Sequence, residues 1–256
     1  MAGAASYDWP LDWLTARPLA HRGLHDETHG LIENTAGAVR AAIAANYGIE
    51  VDVQVSADGE AMVHHDAELG RLTDGAGRLD RLTAAELKRV KFRQTADAMM
   101  TLGDLCDLVA GRIAMAIELK SNFDGDTRLA LRAVEVLAAY CGPAAPMSFD
   151  PVPMTAIRAA APRLPRGVIA AKYRPHPYWD LMPMWARHGM GFLLTAVPVR
   201  PHFIAYNVAD LSSAVAPQVA RQALGLPLLT WTVRTEAERA VAAQWADQII
   251  FEGLRP

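Results

Sequence analysis

Apolar and polar side chains alternate most clearly at Ile49-Glu50-Val51-Asp52-Val53-Gln54-Val55, where a period of two predicts a strand with both acids on one face. Asp58-Gly59 follows as a hairpin turn into Ala61-Met62-Val63-His64-His65. Upstream, Pro18-Leu19-Ala20-His21 reads as a short strand ended by Gly23, and an alanine-rich helix spans about Asn34 to Asn46. The opening Asp8-Trp9-Pro10-Leu11-Asp12-Trp13-Leu14 predicts a short capped helix, with Trp9 and Trp13 sharing a face that packs on the core.

Downstream, Thr83 with Glu86 forms a capping box that starts a helix, and Thr101 to Ala110 reads as another. Further strands are expected at Ile113 to Glu118, Met147 to Phe149, Val168 to Ala170, Phe203 to Tyr206, Leu228 to Val233 and Gln248 to Phe251. Helices are expected over Asp126 to Tyr140, over Met154 to Ala160, in a Trp- and Met-rich stretch over Tyr178 to His188, and near Val219 and Ala240. Strands alternating with helices over short connections indicate a parallel sheet covered by helices. With about eight strands, a closed (β/α)8 TIM barrel is the leading architecture and an open doubly wound sheet the second.

The 256 residues suit one barrel, and a hydrophobic fraction of 52% against 21% charged residues supplies a core and excludes disorder as the main state. Lys and Arg number 25 against 28 Asp and Glu, a net charge of −3 that argues against a nucleic-acid binder relying on a basic surface. Cys106 and Cys141 form no CxxC pair, so a disulfide framework and a four-cysteine zinc site are excluded, and both read as buried, inert thiols. No apolar run is long enough to span a bilayer, and Asp8 and Asp12 interrupt the first apolar stretch, which makes a cytoplasmic location the expectation.

Chemistry in a parallel barrel collects at the C-terminal ends of the strands. Glu50 and Asp52 project from one strand face into the mouth, where two buried carboxylates demand a cation or basic partners. Glu118 ends another core strand, with Lys120 on the same face. Glu50, Asp52 and Glu118 can form an all-oxygen site for Mg2+ or Ca2+, or equally a set of ion pairs with Arg22 and Lys120. His21 suits proton transfer, Arg22 an anion clamp, and Gly23 a close backbone approach. Alternation sends His64 and His65 to opposite sides, so at most one points into the site.

These residues, in their order along the chain, resemble the glycerophosphodiester phosphodiesterase family. The resemblance is carried by His21-Arg22-Gly23, Glu33-Asn34-Thr35, Glu50-x-Asp52-Val53, Asp58-Gly59, His65-Asp66, Arg71-Leu72-Thr73-Asp74-Gly75-x-Gly77, Leu82-Thr83-x-x-Glu86-Leu87, Thr101-Leu102, Glu118-x-Lys120 and Thr230-Trp231-Thr232-Val233. It implies a single TIM-barrel domain over residues 1–256, with a small insertion after the second strand at about residues 56–100. It further implies one divalent cation on Glu50, Asp52 and Glu118, His21 and His65 as the acid/base pair, and Arg22 and Lys120 on the phosphate. Glu33 and Asn34 take supporting roles, orienting Arg22 or contacting the metal site, and Trp231 packs on the glycerol or alcohol portion or serves the core.

The implied activity is hydrolysis of glycerophosphodiesters to an alcohol and sn-glycerol 3-phosphate, with a small molecule as the partner and neither nucleic acid nor stable membrane insertion. The alternatives are a lipid phosphodiesterase resembling phospholipase D of the same barrel type and a non-catalytic phosphate-binding barrel. Three positions depart from the family pattern: Ile32 in place of a proline, Arg234 in place of an asparagine, and Ile250-Phe251-Glu252-Gly253 in place of a Thr-Asp ending. Asn122-x-Asp124-Gly125-Asp126 lacks the glycine and glutamate of an EF-hand loop, and Asp74-Gly75-Ala76-Gly77 lacks the Lys-Ser/Thr ending of a P-loop. His21, His25 and His29 have helical spacing, but Gly23 and Gly30 oppose a helix there and no zinc site is assigned. Met182, Met184 and Trp185 read as core or rim packing.

Overall fold

The computed structural model describes residues 11–175 and 180–256. Its barrel strands are β1 (Leu19–His21), β2 (Gly48–Val55), β3 (Met115–Leu119), β4 (Ala144–Ser148), β5 (Gly167–Ala170), β6 (Phe203–Asn207), β7 (Leu228–Val233) and β8 (Gln248–Phe251). Each lies parallel to the next, and β1 pairs with both β2 and β8. That double pairing closes the sheet, so the fold is a (β/α)8 TIM barrel rather than an open doubly wound sheet.

The apolar members of the alternating strands make the core. Val51 and Val53 are fully buried with Ile117 and Leu119 in one continuous hydrophobic cluster that joins the strands to the surrounding helices. Gly167 leaves room for the Phe203 ring, which would lie 2.4 Å from a Cβ at that position. Helix starts follow the local signals. Thr83 and Thr101 each close a capping box, with Glu86 and Asp104 respectively, and Asp150 caps Pro151–Ala160 with proline in its first turn.

The hairpin after β2 pairs antiparallel with Ala61–Val63, in register Val53 with Val63. The chain then wraps a small second core of Ile32, Met62, Leu69, Leu79, Leu87, Phe92 and Met99 before returning to Thr101. Ile32, where a proline is usual in the family pattern, thus contributes apolar surface to this cluster. Among the described residues, no helix is long and apolar enough to cross a membrane.

Some expectations change. Cys106 is buried, with its thiol pushed up to about 12 by desolvation, but Cys141 is exposed. The helix Arg128–Ala138 ends before Cys141, and Tyr140 takes the buried position instead, its hydroxyl accepting the Gly111 N–H at 3.0 Å. Met182 packs inside, but Met184 and Trp185 are 72% and 60% exposed, because the short helix Met184–Gly189 turns Ala186 and Gly189 inward. The first part of the Trp- and Met-rich helix, Tyr178 and Trp179, lies outside the described residues, as do Asp8, Trp9 and Pro10.

Candidate active site at the barrel mouth

Strand register assembles the acidic cluster. His21 of β1 pairs with Glu50 of β2, and Asp52 of β2 pairs with Glu118 of β3, so four polar side chains meet where the strands end. Carboxylate oxygens of Glu50, Asp52 and Glu118 lie within 4.8 Å of one another, and all three residues are buried. Oxygens at about 2.3–2.6 Å from one Ca2+ stand up to roughly 5 Å apart, so this all-oxygen set fits a single hard divalent cation.

Electrostatics fit the same ion. Burial, then repulsion from Asp52 and Glu118, pushes the Glu50 carboxyl well above its ordinary value. Burial works in the same sense on Asp52, yet Lys120 and other nearby cations, Arg22 among them, hold its carboxyl well below the usual range. Lys120 Nζ lies 2.9 Å from Asp52 Oδ1 and 2.8 Å from Glu118 Oε1, and Arg22 Nε lies 3.3 Å from Asp52 Oδ2. The ion pairs and the oxygens that fit a cation therefore belong to the same carboxylates. Asn34 braces Asp52, donating through Nδ2 to Oδ2 at 2.9 Å and accepting the Asp52 N–H at 3.2 Å.

Alternation separates the two adjacent histidines. His64 is buried with its ring 6.3 Å from that of Phe92, and His65 lines the cavity. His65 Nδ1 lies 2.7 Å from Asp66 Oδ1, and Arg71 Nε donates to Asp66 Oδ2 at 2.6 Å. Arg71 Nη2 also donates to Glu33 Oε1 at 2.6 Å, and Arg22 Nη1 donates to the same oxygen at 2.9 Å. Glu33 thus links the arginine beside the acids to the arginine behind His65.

His21 sits on the other side. Its Nδ1 lies 2.9 Å from Glu252 Oε2 and its Nε2 3.9 Å from Glu50 Oε2. Burial lowers the His21 pKa against the opposing pull of Glu252. The hydrogen bond with His21 holds the Glu252 carboxyl at about 2, with burial opposing and Arg234 assisting. Arg234 Nη2 donates to Glu252 Oε2 at 2.8 Å.

Gly23 makes the tight turn after His21-Arg22 possible: its φ is +78°, and a Cβ there would stand 3.0 Å from Ala38 Cβ and 3.1 Å from the Ala38 carbonyl carbon. Gly23→Ala is therefore expected to destabilise the fold by about 1–3 kcal/mol, read as a drop of several degrees in thermal unfolding. An unchanged melting temperature would mean that the loop relaxes freely.

These groups open into a cavity of about 1010 Å³ whose lining also includes Phe149, Asn122 and Trp231. The Phe149 and Trp231 rings stand edge to face, with centroids 5.5 Å apart at 90°. Trp231 Nε1 has no hydrogen-bond partner among the described residues. Of the ten residues singled out from the sequence, Glu33 and Asn34 stand behind the cavity as struts. Asp66, Arg71, Arg234 and Glu252 received no role there, although Asp66 and Arg71 stand in motifs that carry the resemblance and Arg234 and Glu252 among the departures from it.

A sequence model of the glycerophosphoryl diester phosphodiesterase family matches residues 21–254. Glycerophosphodiester phosphodiesterase 1 of Bos taurus is 39% identical over 82 residues, which is 32% of this chain and 23% of that protein. A glycerophosphodiester phosphodiesterase of Caldanaerobacter subterraneus subsp. tengcongensis is 32% identical over 112 residues, 41% of this chain and 45% of its own length. The matched stretches thus span less than half of either relative. Among solved structures, an Oleispira antarctica phosphodiesterase in complex with the product sn-glycerol-3-phosphate superposes with a TM-score of 0.73 at 21% identity, covering 93% of this chain and 94% of that one. Glycerophosphodiester phosphodiesterase from Thermotoga maritima superposes at 0.67 with 22% identity, covering 91% and 92%.

Proposed function

The chain belongs to the glycerophosphoryl diester phosphodiesterase family, and from that premise we propose that it hydrolyses glycerophosphodiesters to an alcohol and sn-glycerol 3-phosphate at the barrel mouth. The observation that carries this reading is a single cavity lined by two histidines, two cations and two of the three clustered carboxylates, namely His21, His65, Arg22, Lys120, Glu50 and Glu118. Phosphate binding alone requires the cations; a pair of histidines beside them serves proton transfer.

A phosphodiester resists attack because its anionic oxygens repel nucleophiles. Arg22 and Lys120 face that charge and would stabilise what develops further in the transition state. Glu50, Asp52 and Glu118 would hold Mg2+ or Ca2+, which when bound supplies Lewis-acid stabilisation of the phosphoryl oxygens. An ionised carboxylate only accepts hydrogen bonds, so Asp66 calls for a proton on His65 Nδ1 and leaves Nε2 for the exchange with substrate. One histidine takes the proton of the attacking water, or of the neighbouring glycerol hydroxyl, and the other delivers a proton to the departing alkoxide; on the hydroxyl route water then opens the cyclic phosphate to give sn-glycerol 3-phosphate. Phe149 and Trp231 offer an apolar corner to the carbon skeleton of the substrate.

Incubation of the purified protein with glycerophosphocholine and Mg2+ or Ca2+ is expected to release choline and sn-glycerol 3-phosphate, and a chelator is expected to abolish release until the ion is restored. Absence of product over a panel of glycerophosphodiesters and divalent ions would overturn the assignment.

A further inference from the structure

Two of the three departures from the family pattern, Arg234 after β7 and Glu252 after β8, contact each other, and Glu252 also contacts His21. Arg234 Nη2 and His21 Nδ1 both lie on Glu252 Oε2, at 2.8 and 2.9 Å. We propose that Glu252 is the positioning residue of His21, accepting its Nδ1–H so that Nε2 faces the acids and the substrate, with Arg234 holding the carboxylate in place. This rests on the phosphodiesterase reading above only for its catalytic consequence.

The chemistry of the ring supports the assignment. Neutral imidazole carries one proton on one of two nitrogens, and a carboxylate on Nδ1 selects the tautomer whose Nε2 lone pair is available. His21 Nε2 is the nitrogen nearer Glu50, at 3.9 Å, and therefore the one on the side of the acidic cluster. The opposite side of the site has the same composition: His65 is held by Asp66, and Asp66 by Arg71. Two histidine–carboxylate–arginine sets, drawn from unrelated parts of the chain, thus flank one cation site.

A merely structural part for Glu252 is less consistent with its surroundings. The backbone at the end of β8 is already held, with Phe251 paired to both β1 and β7 and the Glu252 N–H bonded to the Val233 carbonyl at 3.0 Å. The side chain therefore adds nothing that the strand needs for its own registry. Its oxygen goes to His21 and Arg234 instead.

The decisive experiment has a spectroscopic arm and a kinetic arm. In metal-free, substrate-free protein with 15N-labelled histidine, the His21 ring (identified by its loss in His21→Ala) is expected as the Nδ1–H tautomer. Glu252→Ala is expected to shift it toward Nε2–H or to an averaged ring. An unchanged tautomer in a folded Glu252→Ala would overturn the proposal whatever the enzyme hydrolyses. Glu252→Leu, which has no acceptor for Nδ1–H, provides a bulkier variant if the alanine substitution fails to fold, and the same tautomer shift is expected of it.

In the kinetic arm, Glu252→Ala is expected to lower kcat on glycerophosphocholine by about 10–10²-fold, with KM within roughly 3-fold. In a His21→Ala background, followed by single turnover, Glu252→Ala is expected to cost almost nothing more, because a residue acting through His21 is silent once His21 is gone. An equal loss in both backgrounds would place the action of Glu252 elsewhere and overturn the proposal. Glu252→Asp, one methylene shorter, is expected to recover part of kcat. Wild-type protein inactive on every glycerophosphodiester would remove the functional reading while the tautomer still decides the role of Glu252.

Discussion

His21→Ala and His65→Ala are each expected to lower kcat on glycerophosphocholine by about 10²–10⁴-fold, the usual contribution of a positioned acid or base. KM is expected to change far less, because the phosphate contacts proposed for Arg22 and Lys120 survive either substitution. The double variant is expected to lose much less than the product of the two single losses, since the pair works as a unit. His64→Ala supplies the contrast. That ring is 2% exposed and packs near Phe92, so its removal is expected to lower thermal stability and leave kcat close to wild type. Steady-state kinetics and thermal melts on the three single variants check the set. Wild-type turnover in both His21→Ala and His65→Ala would refute the acid/base roles.

Glu50→Gln is expected to move stability and activity in opposite directions. Without a divalent ion, the Glu50 carboxylate is desolvated and faces Asp52 and Glu118, which is why its pKa is driven upward. A neutral side chain of the same shape removes that repulsion, so the metal-free variant is expected to melt no lower than wild type. The same substitution takes a charged oxygen from the proposed cation site and is expected to cut ion-dependent turnover by about 10²-fold or more, equivalent to about 3 kcal/mol of transition-state stabilisation. Melting curves in chelator and activity titrations against Mg2+ and Ca2+ read both effects. A variant that melts well below wild type in chelator and keeps full turnover would mark Glu50 as a structural ion-pair partner instead.

The barrel was legible because its signals are local and repeated. Period-two alternation around Glu50 and Asp52 both defines β2 and sends the acids to one face, since successive side chains in a strand point to opposite sides. Caps such as Thr83 with Glu86 also lie within a few residues of one another, and the structure forms them as written. Boundaries shifted where tertiary pairing extends a strand. β4 starts at Ala144, ahead of the apolar Met147-Ser148-Phe149 that suggested it, because Ala144 and Ala145 pair with Met115 and Ala116.

Polar connections between loops carry no such period. Arg71 looked like one residue in a motif, yet it spans from Asp66 to Glu33 and so connects the His65 side of the site to Arg22 beside the acids. Arg234 and Glu252 looked like two unrelated departures near the end of the chain, and barrel closure brings them to His21, at the beginning. The exposed Cys141 belongs to the same class: composition favours burial of cysteine, but the turn before β4 buries Tyr140 instead.

By itself, then, the sequence determined the alternating strand–helix plan, the facing of Glu50 and Asp52, and the opposed directions of His64 and His65, because each follows from backbone geometry over a few residues. Only the tertiary structure decided which charges are partners. Closing eight strands sets Asp52 level with Glu118 and His21 level with Glu50, and places Glu252 beside His21, contacts that depend on register between segments far apart in the chain.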